Sequence, residues 1–138
     1  MKQREPVSKI MTANVLYVRE HDTLRDAVNT IQKNGIRHLP VVKGNEVSGI
    51  ISSADVNRLM FGSLFENQEG TNEAILDMLT IPQVMTKAPQ TVGSHTPIKE
   101  VAEVLAGAEF HALPVVDEGE LKGIVTTTDL LQYMLEQY

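Results

Sequence analysis

His111-Ala112-Leu113-Pro114-Val115-Val116-Asp117-Glu118-Gly119-Glu120-Leu121-Lys122-Gly123-Ile124-Val125-Thr126-Thr127-Thr128-Asp129 reads as two strands, a tight turn and the opening of a helix. The same pattern stands earlier in the chain as Arg37-His38-Leu39-Pro40-Val41-Val42-Lys43-Gly44-Asn45-Glu46-Val47-Ser48-Gly49-Ile50-Ile51-Ser52-Ser53-Ala54-Asp55. The two stretches align without a gap at one constant spacing, Pro114 on Pro40 and Asp129 on Asp55. That spacing also sets Met85-Thr86 on Met11-Thr12, His95 on His21 and Met134 on Met60. Self-similarity at a fixed period marks a duplicated unit, here roughly fifty residues long. Fold and function are both read from the duplication.

Working outward from the hairpin, Val15-Leu16-Tyr17-Val18 consists of strand formers. Asp22 or Thr23 can cap a following helix whose apolar positions Leu24, Ala27, Val28 and Ile31 recur at helical spacing. Asn34-Gly35 ends it. Gly44-Asn45 suits a two-residue hairpin between strands 37–43 and 46–52, and a helix from about Ser53 carries Val56, Leu59 and Met60 inward. Gly62, Asn67, Gln68, Glu69 and Gly70 read as a polar loop, after which Thr71 or Asn72 can cap a short helix through Ile75, Leu76 and Leu79. In the second copy Val92 falls in the short first strand, and Thr96 is the expected helix cap with Pro97 at the first helical position. Ile98, Val101, Ala102 and Leu105 form the apolar stripe of that helix. The last helix, from about Thr127, is expected to bury Leu130, Leu131, Met134 and Leu135. The expected division is therefore residues 1–62 for the first copy, 63–80 for a connector with a short helix, and 81–138 for the second copy.

A chain of 138 residues suits one compact domain, whereas each half alone is near the lower limit for an independent core. With 42% hydrophobic residues and no apolar run long enough to span a bilayer, the chain reads as soluble and globular. Met1-Lys2-Gln3-Arg4-Glu5-Pro6 does not resemble a signal peptide, so a cytoplasmic location is the default expectation. The absence of cysteine excludes disulfides and thiolate chemistry. A net charge of −6 without a Lys/Arg cluster, and 4% aromatic residues without Trp, argue against nucleic-acid binding. The chain carries no Gly-x-Ser-x-Gly elbow, Walker loop or dinucleotide fingerprint, so no catalytic residue is assigned.

A Met-Thr pair before a short strand, an amphipathic helix, a Leu-Pro-Val-Val strand, an acidic hairpin and Gly-Ile-x-[Ser/Thr]-x-x-Asp at the start of a final helix, all present twice, resemble the cystathionine-β-synthase-type (CBS) domain. The resemblance spans about Pro6 to Leu135. It implies an α/β fold, a tandem CBS domain pair in which each copy is β-α-β-β-α and the copies pack through their sheets with pseudo-two-fold symmetry, leaving two related clefts. It also implies a regulatory module that binds an adenine nucleotide (AMP, ADP or ATP) or S-adenosylmethionine, works as a homodimer and acts on another protein.

One element of that expectation follows from chemistry alone. A strand ending in Ser or Thr and feeding a helix offers hydroxyls and unpaired N–H groups at the positive end of a helix dipole, which favours phosphate oxygens. In the second copy alternation sets Ile124, Thr126 and Thr128 on one side, and Asp129 is an acceptor suited to ribose hydroxyls. Matching the family pattern adds His111 and Pro114 there, and Arg37, His38, Pro40, Ile50, Ser52 and Asp55 in the first copy, where Ala54 replaces the hydroxyl expected before the aspartate. Arg37 could serve the pocket of Asp129. The same residues admit plainer roles: Asp55 and Asp129 as helix caps, Arg37-His38 as an exposed strand end. His21 and His95, one per copy, lack the neighbours that metal binding usually needs, and no metal is assigned. Met11, Met60, Met85 and Met134 are expected in the core. Glu66, Glu69, Glu73 and Asp77 are expected on a solvated face.

Overall fold

The computed structural model describes residues 4–66 and 69–138. In chain order these form a 3₁₀ turn (Val7–Lys9), β1 (Thr12–Ala13), β2 (Val18–Arg19), α1 (Leu24–Asn34), β3 (His38–Lys43), β4 (Glu46–Ser52), α2 (Ser53–Glu66), α3 (Glu69–Met78), α4 (Ile81–Val84), β5 (Thr86–Lys87), α5 (Ile98–Ala106), β6 (Ala112–Asp117), β7 (Glu120–Thr126) and α6 (Thr127–Glu136). They gather into two compact units: one spans Leu16–Ala88, and the other joins the N-terminal segment up to Val15 to Pro89–Tyr138.

The unit of Leu16–Ala88 is built on a four-stranded sheet in the order β2-β3-β4-β5. α1 starts where the Thr23 hydroxyl accepts the Asp26 N–H at 3.1 Å, and it ends at Gly35, whose left-handed φ of 60° a Cβ would strain. Its stripe of Leu24, Ala27, Val28 and Ile31 is buried against Leu39, Val41, Ile51 and Val56. Each large apolar side chain sealed this way contributes about 1.5–3 kcal/mol. Met60 and Met85 pack at the edge of this core. The strand former run Val15-Leu16-Tyr17-Val18 becomes a strand only at Val18, because just Val18 and Arg19 find a partner, in parallel with Val41 and Val42. Leu16 and Tyr17 stay exposed.

The polar loop expected after Phe61 is helix to Glu66 and helix again from Glu69, so Thr71 and Asn72 lie within α3 and do not cap it. Asn67 and Gln68 are outside the described residues, as are the side chains of Glu66, Glu69 and Glu73. Asp77 is exposed and pairs with Arg25 of α1 at 2.9 Å.

The second unit holds the three-stranded antiparallel sheet β1-β7-β6, with Val92 bridging Val115 in parallel. Its register repeats that of the first: Val92 faces Val115 as Val18 faces Val41, and both hairpins shift register after the same valine, Val41 and Val115. Its core is Val7, Ile98, Val101, Leu105, Leu113, Val115, Val125, Leu130 and Tyr133, with Met11 packed against it. Two local expectations change here. Pro97, not Thr96, is the cap of α5, because the Ile98 N–H is taken by the Glu5 carbonyl at 2.8 Å and Pro97 stays extended opposite Pro6. On α6 the buried residues are Leu130 and Tyr133, while Leu131, Met134 and Leu135 are exposed. Tyr133 is drawn inward by donating its hydroxyl to the Glu5 carboxylate, a bond that raises the phenol's pKa.

The leading segments of the two repeats are exchanged. Met11-Thr12 opens the first repeat, yet β1 pairs with β7, Thr12 opposite Ile124. Thr86 opens the second, yet β5 pairs with β4, Thr86 opposite Ile50. The exchange explains two equivalent glycines: a Cβ on Gly123 would stand 2.5 Å from the Thr12 carbonyl oxygen, and one on Gly49 would overlap the Met85 sulfur. Just beyond each short strand, Asn14 and Ala88 hold equivalent left-handed conformations with φ of 53° and 47°.

Candidate functional site

Each unit carries the same strand-to-helix junction. In β7 the core side chains Leu113, Val115 and Val125 occupy one face of the hairpin, so the register assigns Pro114, Ile124 and Thr126 to the other. Pro40, Ile50 and Ser52 occupy the corresponding face beside β3 and β4, together with half-buried His38.

At the junction itself the side chain and backbone close reciprocal hydrogen bonds. The Thr126 N–H donates to Asp129 Oδ2 at 2.9 Å, and the Asp129 N–H donates to Thr126 Oγ1 at 3.1 Å. Ser52 and Asp55 make the same pair at 2.9 and 3.1 Å. This is a capping box with aspartate in the reciprocal position, and it satisfies two orphan donors of each helix. A third donor is met by the residue just ahead of the hairpin's first strand: Thr127 N–H reaches the His111 carbonyl at 2.9 Å, and Ser53 N–H reaches the Arg37 carbonyl at 2.8 Å. His111 and Arg37 therefore tie the junction through their backbones, and their side chains are exposed.

The boxes leave one carboxylate oxygen over, and the units differ in its fate. Asp55 Oδ1 accepts a salt bridge from Arg58, one helical turn along α2. The residue equivalent to Arg58 is Gln132, and among the described residues no hydrogen bond or ion pair reaches Asp129 Oδ1. Thr128, exposed beside it, corresponds to Ala54. The structure thus brings Ile124, Thr126, Thr128, Asp129, His111 and Pro114 to one junction and Arg37, His38, Pro40, Ile50, Ser52 and Asp55 to the other.

A cavity of about 260 Å³ opens beside Asp55, lined by Asp55, Arg58, Leu59, Leu79, Gln83 and Val84, so that of the residues expected for the first copy only Asp55 lines it. Gln83 is oriented by accepting the Thr80 N–H on Oε1 at 2.8 Å, which leaves its amide N–H groups available to donate. Arg58, Gln83 and the wall of Leu79 and Val84 were not legible as site residues in the sequence. Only the three-residue interval from Asp55 to Arg58 on a helix could have hinted at the ion pair. The cavity combines an acceptor for hydroxyls, a cation, an amide donor and apolar walls.

Elsewhere, Asp117 at the end of β6 accepts hydrogen bonds from the Ser94 side chain and from the Ser94 N–H at 3.0 Å, which hold its pKa below the usual carboxylate value. Among the described residues no three His, Asp or Glu side chains gather as metal ligands. No described helix is long and apolar enough to cross a membrane.

Comparison with known proteins accords with this duplicated architecture. A curated relative, the uncharacterized protein MJ1225 of Methanocaldococcus jannaschii, is 30% identical over 133 residues, which cover 95% of this chain and 48% of the relative. The chain thus spans about half the length of that relative. The crystal structure of MJ1225 superposes with a TM-score of 0.79 at 29% identity, covering 97% of this chain and 49% of that one. CBSX2 of Arabidopsis thaliana, solved in complex with AMP, has a TM-score of 0.77 at 25% identity, covering 96% and 97%. The CBS domain pair of protein MJ0100, solved with 5′-methylthioadenosine and S-adenosyl-L-methionine, has a TM-score of 0.74 at 25% identity, covering 94% and 99%. The CBS domain model matches residues 7–62 and again 81–136, so the two repeats read from the spacing of Leu-Pro-Val-Val and Gly-Ile-x-[Ser/Thr]-x-x-Asp are two CBS domains, and the chain belongs to that family.

Proposed function

We propose that this chain is a non-catalytic regulatory module that binds an adenine nucleotide or a related adenosyl compound at its strand-to-helix junctions. The observation that carries the reading is the cavity at Asp55, where a carboxylate, a guanidinium, a carboxamide and an apolar wall converge. A purine between Leu59, Leu79 and Val84, a ribose on the aspartate and a phosphate on the Arg58 guanidinium would use each group for what its chemistry allows. The equivalent junction at Asp129, with Thr126 and Thr128, supplies the same acceptor and an added hydroxyl. The complexes of CBSX2 with AMP and of MJ0100 with S-adenosyl-L-methionine support the ligand class. The ligand regulates by binding one conformation of the module better than another, and it shifts the population only by that difference.

Thermal unfolding with AMP, ADP, ATP and S-adenosylmethionine tests this. A ligand at a hundred times its Kd stabilises the folded state by about 2.7 kcal/mol. No rise in Tm with any of the four at millimolar concentration would overturn the proposal.

A second reading is favoured by α6, where Leu131, Met134 and Leu135 form an exposed apolar stripe at helical spacing. In that reading the chain is a homodimerising scaffold without a nucleotide. A monomeric mass in solution, unchanged by Leu131→Glu, would sink it.

A further inference from the structure

We propose that Arg58 makes the Asp55 cavity selective for a nucleoside that carries a phosphate, over the uncharged nucleoside. The inference rests on the adenosyl-binding reading above and adds which member of that class this cavity takes. Arg58 lines the cavity with its side chain 76% exposed, and its guanidinium lies on an Asp55 carboxylate that is only 13% exposed. A ribose diol that takes Asp55 therefore competes with Arg58 for the same oxygen. The exchange is favourable when the ligand also offers the displaced guanidinium an anion, because phosphate accepts two parallel N–H bonds from arginine. A phosphate ester attached to that same ribose places the anion within reach of a long side chain already at the rim. An uncharged nucleoside gains Asp55 and leaves Arg58 with water alone.

Size points the same way. The volume of about 260 Å³ lies just below the usual range for enclosed small-molecule sites, about 300–1,000 Å³. A site of that size is too small to enclose a whole nucleotide, so a phosphate bound with the nucleoside would lie toward solvent, where the exposed Arg58 side chain can meet it. The second unit provides an internal comparison: Gln132 stands at the equivalent position, and among the described residues no cation reaches Asp129 Oδ1. Arginine at this position is thus a property of one junction and not of the repeat.

The test is isothermal calorimetry with AMP and with adenosine, on the wild-type chain and on Arg58→Gln and Arg58→Lys, the variants built in an Asp129→Ala background that silences the other junction. In that background, with Arg58 intact, AMP is expected to bind at least tenfold tighter than adenosine, the scale of a charge-assisted hydrogen bond, about 1.5 kcal/mol or more. Arg58→Gln, which installs the residue type of the second repeat, is expected to reduce that preference to threefold or less through weaker AMP binding, with adenosine changed less than twofold. Arg58→Lys keeps an intermediate preference, since it retains the charge without the fork. An AMP-to-adenosine ratio that is the same before and after Arg58→Gln overturns the inference while leaving adenosyl binding standing. A wild-type chain that binds neither compound overturns the inference, and the adenosyl reading falls with it only when ADP, ATP and S-adenosylmethionine also fail to bind.

Discussion

Asp129→Ala and Asp55→Ala form a matched pair of perturbations, because the two capping boxes agree in both hydrogen-bond lengths, 2.9 and 3.1 Å. Each substitution deletes one carboxylate that accepts the cap residue's N–H and that favours the helix N-terminus electrostatically, a loss of about 1–2 kcal/mol. The Arg58 partner of Asp55 adds little to this, since its side chain is 76% exposed and pairs of that kind are worth about 0–1 kcal/mol. Urea unfolding should therefore give two stability losses within about 0.5 kcal/mol of one another. Binding should separate the pair. Asp129→Ala removes an acceptor whose Oδ1 has no partner among the described residues, about 1.5–3 kcal/mol or roughly ten- to a hundredfold in Kd for an adenosyl ligand. Asp55→Ala instead releases Arg58 to the phosphate, so AMP affinity should fall less than about tenfold. Equal or reversed losses of binding would refute the assignment, and a stability difference above about 1 kcal/mol would show that the junctions are not equivalent.

Three other expectations follow from the same geometry. Gly123→Ala sets a Cβ 2.5 Å from the backbone oxygen of Thr12 and should cost about 2–3 kcal/mol, whereas Gly49→Ala mainly meets the flexible Met85 side chain and should cost about 1 kcal/mol, recovered in part by Met85→Ala; equal costs in urea melts would contradict this. Ala88 holds φ of 47° where the equivalent residue is Asn14, so Ala88→Asn should stabilise by about 0.5–1 kcal/mol, and a fall in the urea midpoint would refute the strain argument. Asp117 has a folded pKa below its unfolded value, so its contribution is complete above about pH 4 and disappears as pH falls through the folded pKa. Asp117→Asn should flatten stability against pH in that acidic window, and an unchanged slope would exclude the Ser94 contacts as the cause.

What the amino-acid sequence determined by itself is local. A cap at Asp22 or Thr23, which the structure resolves to Thr23, Gly35 as a stop, the stripe of Leu24, Ala27, Val28 and Ile31, and the turns at Gly44-Asn45 and Glu118-Gly119 depend on residues within one or two turns of chain, and the structure contains them. The repeat is equally legible, since identical spacing needs no tertiary knowledge. The choice among local options was not. α6 carries apolar residues at 130, 131, 133, 134 and 135, enough for two faces, and periodicity cannot say which is covered; the core of its unit and the Glu5 carboxylate selected Leu130 and Tyr133. Met11-Thr12 and Met85-Thr86 look alike and fit either hairpin, yet each pairs with the hairpin of the other repeat. A two-residue strand holds too little pattern to specify a partner so distant in sequence, and the partner is set by where the rest of the chain closes. The site divides likewise: Ser52, Asp55, Thr126 and Asp129 are a motif, while the cavity brings Arg58 together with Leu79 and Gln83 only because α3 and α4 return past the start of α2.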